Sequence, residues 1–360
     1  MIASFIYTGY PVRVVFGAGS LAQLAAEVDY LGLQRVLVCS TPGQRALGER
    51  AAALLGSRAA GLHAEAVMHV PVETARAAVA VARQHSADGC LAIGGGSTIG
   101  LAKAIALETS LPIIAVPTTY SGSEMTPIWG LTEDGEKRTG RDERVRPRTV
   151  IYDPELTLGL PPTIAGPSGM NALAHCLEAL YAPDGNPITS LMAADGIRAL
   201  AAGLPTVVRE PGNIAARSDV LYGAWLAGAA LGAASMGLHH KLCHTLGGSF
   251  NLPHAEVHTV ILPHAAAYNA AAAPEAFARA AAALGVPSAP EGLFDLARSI
   301  GAPTALRDIG MRAEDLDRAA DLATRNPYAN PAPVTRDGVH RLLAAAFHGE
   351  RPTVAQEAPQ

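Results

Sequence analysis

The chain has 360 residues, 27 Lys and Arg against 32 Asp and Glu, and 49% hydrophobic residues. That length holds two ordinary domains with real cores, and a formal charge of −5 excludes nucleic acid as the main partner, which needs a basic stripe. No run has the length and apolarity of a membrane span, the nearest being Ala224–Leu238, and Met1–Phe16 lacks a basic region and a cleavage site, so a cytoplasmic protein without signal peptide is expected.

The first 160 or so residues alternate short apolar runs with helical patterns, as βαβ units do. Arg35–Cys39 reads as a strand that breaks at Ser40, Thr41 and Pro42; Glu73–Ser86 reads as a helix; Gly89–Ile93 and Pro112–Val116 read as further strands. Their unbroken apolarity predicts a parallel sheet covered on both faces. Gly94, Gly95, Gly96 and Ser97 follow one strand and precede the helical Leu101–Ala106. Glycines there let backbone N–H groups approach a pyrophosphate at a helix N-terminus, so this loop is the candidate dinucleotide site. Gly17 and Gly19 form a weaker pair, better read as a simple turn. After the first strand the chain offers Ser40 and Thr41 where an NAD ribose is normally held by an acid, so NADH or NADPH is the expected cofactor, with neither excluded.

From Leu131 to Arg148 a charged stretch reads as a solvated hairpin turning at Glu133–Gly135, its arginines (Arg138, Arg141, Arg144) most simply surface groups. Val150–Pro154 closes the unit as a last strand. Gly159–Pro162 is a hinge, and beyond it the pattern is helical: Ile164–Tyr181, Ile188–Ala202, Ser218–Met236 and Pro274–Leu284, with a tail expected to fray after Glu350. The expected architecture is therefore an α/β dinucleotide-binding domain, residues 1–160, followed by an all-α domain, residues 161–360. Cys39, Cys90, Cys176 and Cys243 form no C-x-x-C pair and read as reduced packing thiols.

In the helical half, Asn171 and His175 lie four residues apart, as do His240 and His244, and His254 follows ten residues after His244. A four-residue step turns a helix by only about 40°, so each pair shares a face. Facing helices would gather one amide and several imidazoles.

Taken together, Ala18–Ser20, Gly94–Thr98, Val116–Glu124 and these histidines resemble the iron-containing alcohol dehydrogenase superfamily, whose fold is similar to dehydroquinate synthase. Gly94–Gly100, Ser123–Pro127, Asn171 within Gly169–His175, and Asn326–Pro327 with Asn330–Pro331 resemble its maleylacetate reductase branch. The resemblance spans nearly the whole chain. It implies metal-ligand positions at Asn171, His175, His240 and His254, and places His244 close to the reacting carbon. Two residues depart from the alcohol-dehydrogenase pattern: Asn171 stands for an Asp, and Gly100 for the Asp that ends the glycine loop. Both are features of the branch held to act without a metal, so no metal is expected.

The resemblance also implies the chemistry: reduction of the C=C bond of a dicarboxylate, maleylacetate, to 3-oxoadipate by NADH or NADPH, in aromatic-compound degradation. His244 and His240 are expected to polarise the oxygen or donate the proton, the two roles left open between them, with His175 and His254 completing the pocket and holding a substrate carboxylate, and Asn171 orienting them by hydrogen bonds. Thr118 and Thr119 are expected at the cofactor. Tyr120, Lys241 and Tyr328 are expected at the substrate, and related enzymes suggest a homodimer. A metal-dependent alcohol or polyol dehydrogenase, and a lyase of the dehydroquinate synthase type, remain open on the same fold.

Overall fold

A computed structural model of the chain describes residues 5, 8–9, 12–133 and 136–353. The turn expected at Asp134–Gly135 lies outside them, as do parts of the N-terminal stretch and the last seven residues of the tail. The chain divides between Leu160 and Pro161 into two compact units.

The first unit runs β1 (Arg13–Phe16), α1 (Leu24–Tyr30), β2 (Val36–Cys39), α2 (Arg45–Leu55), β3 (Ala59–His63), α3 (Val72–Gln84), β4 (Gly89–Gly94), α4 (Gly96–Thr109), β5 (Ile113–Pro117), β6 (Ile128–Glu133), β7 (Glu136–Arg141) and β8 (Thr149–Tyr152). Six strands form one parallel sheet in the order β1-β8-β5-β4-β2-β3, while β6 and β7 pair antiparallel as the expected hairpin. Side chains alternate across a strand, and both faces here are apolar. Val36 and Val38, Leu91 and Ile93, and Ile114 and Val116 pack with α1 and α2. Leu37 and Cys39, Cys90 and Ala92, and Ile113 pack with α3 and α4. This two-sided burial makes the strands read as unbroken apolar runs. The Gly17–Gly19 pair is a turn: Asp153 accepts from the N–H groups of Gly19 and Leu21, both at 3.0 Å, which takes up amides a phosphate would need.

The second unit is helical: α5 (Pro162–Tyr181), α6 (Pro187–Arg209), α7 (Ile214–Ala233), α8 (Leu238–Phe250), α9 (His254–Ala270), α10 (Pro274–Leu284), α11 (Ala289–Ser299), α12 (Leu316–Thr324) and α13 (Arg336–His348). Helix α6 continues past the expected stop at Ala202, through Pro205. Tertiary packing overrides the proline: at Gly203 a Cβ would stand 2.6 Å from Val220 Cγ2, so α6 and α7 approach closely there. Helix α7 starts at Ile214, earlier than Ser218, because Asn213 Oδ1 accepts from Ala216 N–H at 3.1 Å and caps it. Helix α6 is also long and apolar enough to cross a membrane, where the sequence reading found no such segment; it packs against α5 and α7, as a core helix does. Arg351 does not fray: it pairs with Glu291 at 2.6 Å and Asp295 at 2.8 Å on α11. All four cysteines are buried and unpaired with one another.

Candidate active site

The phosphate loop stands where β4 hands over to α4. Gly95 caps α4 with no side-chain hydrogen bond, so no cap side chain takes up the first amides of the helix, which suit an anion. The glycines are required by space. A Cβ on Gly94 (φ +153°) would lie 2.4 Å from Thr98 Oγ1 and 2.8 Å from Gln44 Oε1, and one on Gly95 would lie 3.0 Å from Thr119 Cγ2. Thr118 closes the loop from the neighbouring strand: its N–H donates to Gly94 O at 3.0 Å, and its Oγ1 accepts from Gln44 Nε2 at 2.9 Å. The residues present fit a nucleotide pyrophosphate. Gly94→Ala is expected to weaken NAD(P)H binding by at least ~tenfold through overpacking of this cradle; fluorescence titration of the cofactor measures it.

One residue expected at the ligand, Ser40, is turned away from it. Ser40 donates its N–H to His63 O and accepts from Ala66 N–H, each at 3.1 Å, and its hydroxyl is buried against the position of Gly48. Tyr120 is fully buried. The correction at Ser40 has one cause: backbone pairing and packing at the end of β2 fix which side of the turn it presents.

In the helical unit the i, i+4 pairs do share faces. His175 on α5 stacks on His240 of α8 with ring centroids 5.1 Å apart, and His244, exposed, lies edge-on to His240 at 6.1 Å. His254 opens α9 and is exposed; it reaches the group through His258, at 4.3 Å from His254 and 5.0 Å from His240. His239 lies 4.9 Å from His258. The sequence reading missed His239 and His258, although His254 and His258 repeat the four-residue step already noted.

It also missed Glu178, which organises the cluster. Glu178 lies on α5, three residues after His175, and is fully buried. Its carboxylate accepts from the N–H groups of Gly237 at 3.0 Å and His239 at 2.9 Å, and from His240 Nδ1 at 2.7 Å. It thus satisfies the N-terminal amides of α8, which has no cap of its own, and anion and helix dipole favour each other there. The same bond fixes His240: Nδ1 carries the proton given to Glu178, leaving Nε2 as a lone pair, and Nε2 has no partner among the described residues. Asn330 ties the C-terminal segment to this point, accepting from Leu238 N–H at 3.3 Å and exchanging amide hydrogen bonds with Asn269.

Among the described residues, Asn171 Oδ1 and His175 Nδ1 are both buried with no hydrogen-bond partner, so no bond to that oxygen orients His175 as expected. The ring of His240 is oriented by Glu178. Burial pulls the imidazoles of His175, His240 and His258 well below their usual pKa, with the neighbouring rings adding to it, and that of His239 down to about 4. At neutral pH these rings are neutral. Lys241 and Tyr328 do come together, with Lys241 Nζ 5.9 Å from the Tyr328 ring centroid.

A family model for iron-containing alcohol dehydrogenases matches residues 11–154, and one for the C-terminal part of the Fe-containing alcohol dehydrogenase family matches residues 165–347. The chain belongs to the iron-containing alcohol dehydrogenase family. Among its relatives, a maleylacetate reductase of Burkholderia cepacia is 60% identical over 350 residues, spanning 97% of this chain and 99% of that one. Another from Sphingobium indicum is 55% identical over 351 residues, 98% of this chain and 99% of that one. Among solved structures, a putative alcohol dehydrogenase from Ralstonia eutropha superposes with a TM-score of 0.96 at 62% identity, and maleylacetate reductase from Agrobacterium tumefaciens with 0.95 at 53%; each covers 98% of this chain and 100% of the other. The expected fold class is that of this family: a parallel-sheet N-terminal domain and a helical C-terminal one.

The family's name implies iron, and the donor set here departs from what a hard cation prefers, although three neutral imidazoles can hold zinc. Position 171 offers a neutral amide oxygen where a carboxylate would suit a hard cation. Among the described residues, the imidazoles with ligand nitrogens within 4.8 Å of one another are His239, His240 and His258, a trio that leaves out His175 and His254. Within it, His239 Nε2 already meets His258 O at 3.1 Å, and His240 Nδ1 meets Glu178.

Proposed function

We propose that this protein reduces the C=C bond of maleylacetate with hydride from NADH or NADPH, giving 3-oxoadipate, and does so without a bound metal. The observation that carries this reading is the 60% identity to a maleylacetate reductase across nearly the whole of both chains. The neutral histidine cluster supplies chemistry that suits it.

Hydride from the nicotinamide adds to the carbon β to the ketone, and the electron pair of the C=C bond moves to the ketone oxygen as an enolate. That oxygen needs a donor, and an imidazole can be one. The α-carbon then takes a proton, which a histidine near neutral pH can deliver. An enolate is a weaker base than the alkoxide of an alcohol dehydrogenase, so the demand for a divalent cation is smaller.

The tautomer set by Glu178 divides the roles. Neutral His240 has no proton on Nε2, so it does not fill the donor role expected of it; that role falls to His244, one helical turn along α8. His175 and His254 complete the pocket. Lys241, above the Tyr328 ring, supplies a cation for one substrate carboxylate.

Turnover of maleylacetate with NADH or NADPH, followed spectrophotometrically, is expected and should survive exhaustive dialysis against a strong chelator. Activity lost on chelation and restored by zinc or iron would overturn the metal-free part. Alcohol oxidation with no reduction of maleylacetate would overturn the substrate.

A further inference from the structure

We propose that Arg45 is the 2′-phosphate subsite of this protein, and that Glu65 is the counter-ion it leaves to bind NADPH. This rests on reading the first unit as a nicotinamide-nucleotide domain. From β2 the chain crosses to β3 on one side of the sheet, then to β4 on the other. Nucleotides bind beyond the carboxyl ends of the strands at such a reversal, and the adenine ribose is gripped from the end of the second strand. Here that end is Cys39, and the turn behind it is Ser40–Gln44.

Gln44 fixes where this turn lies. Its Nε2 donates to Thr118 Oγ1 at 2.9 Å, and its Oε1 stands 2.8 Å from where a Cβ on Gly94 would be. The turn therefore lies against the phosphate loop, and the next residue, Arg45, begins α2 beside it.

No residue from Ser40 to Gln44 is acidic, and Ser40 faces inward, so nothing in the turn repels a second phosphate. The first charged side chain is Arg45, 52% exposed. Its Nη2 lies 3.6 Å from Glu65 Oε1, which is 62% exposed and follows β3. An exposed pair at that distance is weak. A dianionic phosphate offers the guanidinium fork a shorter, charge-assisted and bidentate partner. With NADH, which lacks that phosphate, Arg45 stays with Glu65, so both cofactors are admitted and Arg45 sets the ratio.

The test is a binding measurement that uses no carbonyl substrate, so it stands whatever the fate of the maleylacetate reading. NADH and NADPH are titrated by fluorescence, with 5′-ADP and 2′,5′-ADP as competitors. Arg45→Ala is expected to weaken NADPH and 2′,5′-ADP by about ten- to a hundredfold, while NADH and 5′-ADP change by less than about twofold. Arg45→Lys, which keeps the charge and loses the fork, should fall between. Glu65→Gln, which frees Arg45, should tighten NADPH. An equal loss for both cofactors, no loss for NADPH, or weaker NADPH binding in Glu65→Gln would overturn the assignment.

Discussion

Replacing Glu178 is expected to cost more than any other single change in the helical unit. Glu178→Ala removes the partner of His240 Nδ1 and of the amides of Gly237 and His239, all in a fully buried place. Leaving a buried donor without its acceptor costs about 1–3 kcal/mol each, and several are left here, which thermal or denaturant unfolding would register. Glu178→Gln separates folding from function. With its NH₂ group on the side of His240 Nδ1, the amide oxygen still accepts from His239 N–H, while Gly237 N–H, which shares Oε2 with His240, loses its acceptor, and the ring must turn its lone pair toward the NH₂ group. The proton then moves to Nε2, reversing the tautomer. A reversed tautomer beside a reacting group costs up to ~10⁴-fold in rate, so kcat should drop far more than stability does. The expected signature is a folded variant with kcat down by at least ~10²-fold, and with His240 carrying its proton on Nε2 by ¹⁵N NMR. A Glu178→Gln enzyme with unchanged kcat would remove the tautomer from the mechanism.

What could be read from the residues, and what could not, follows from where each signal originates. Strands β2, β4 and β5 were legible because burial on both faces leaves unbroken Val, Leu and Ile. Strand β3, Ala59–His63, was not: it is an edge strand of small residues with little β-propensity. The four-residue histidine steps were legible as local helical geometry. Glu178 sits on the same face of α5 as His175 and Asn171, yet in the run Cys176–Tyr181 it resembles an ordinary helix charge. Its partners lie about sixty residues away, at Gly237–His240, and no local pattern announces them. Lys103 escaped notice for the same reason. It is fully buried on α4, and its ammonium is held by Ser123 O, Thr126 O, Thr126 Oγ1 and Ile128 O at 2.6–3.0 Å. That clamp holds in place a segment whose resemblance was plain and whose anchor was not. Ser40 was misjudged in the opposite sense: its position after β2 was right, but pairing to His63 and Ala66 turned it inward.

His244→Ala is expected to lower kcat by ~10²–10⁴-fold, the usual worth of a positioned general acid, with KM for NAD(P)H little changed. His244 is the exposed member of the pair on α8, with its ring edge-on to His240 at 6.1 Å. His240 presents an unprotonated Nε2, and His175, His239 and His258 are held neutral by burial. Among these rings His244 is therefore the one suited to exchange protons with solvent between turnovers. Isotope effects separate loss of an acid from loss of packing. A solvent deuterium isotope effect should grow, because proton delivery to the α-carbon becomes the slow step. Hydride transfer would then no longer limit the rate, and a deuterated nicotinamide should show a smaller effect than in the parent enzyme. If kcat and both isotope effects are unchanged, the proton comes from elsewhere, and His175, whose Nδ1 is buried without a partner, becomes the next residue to replace.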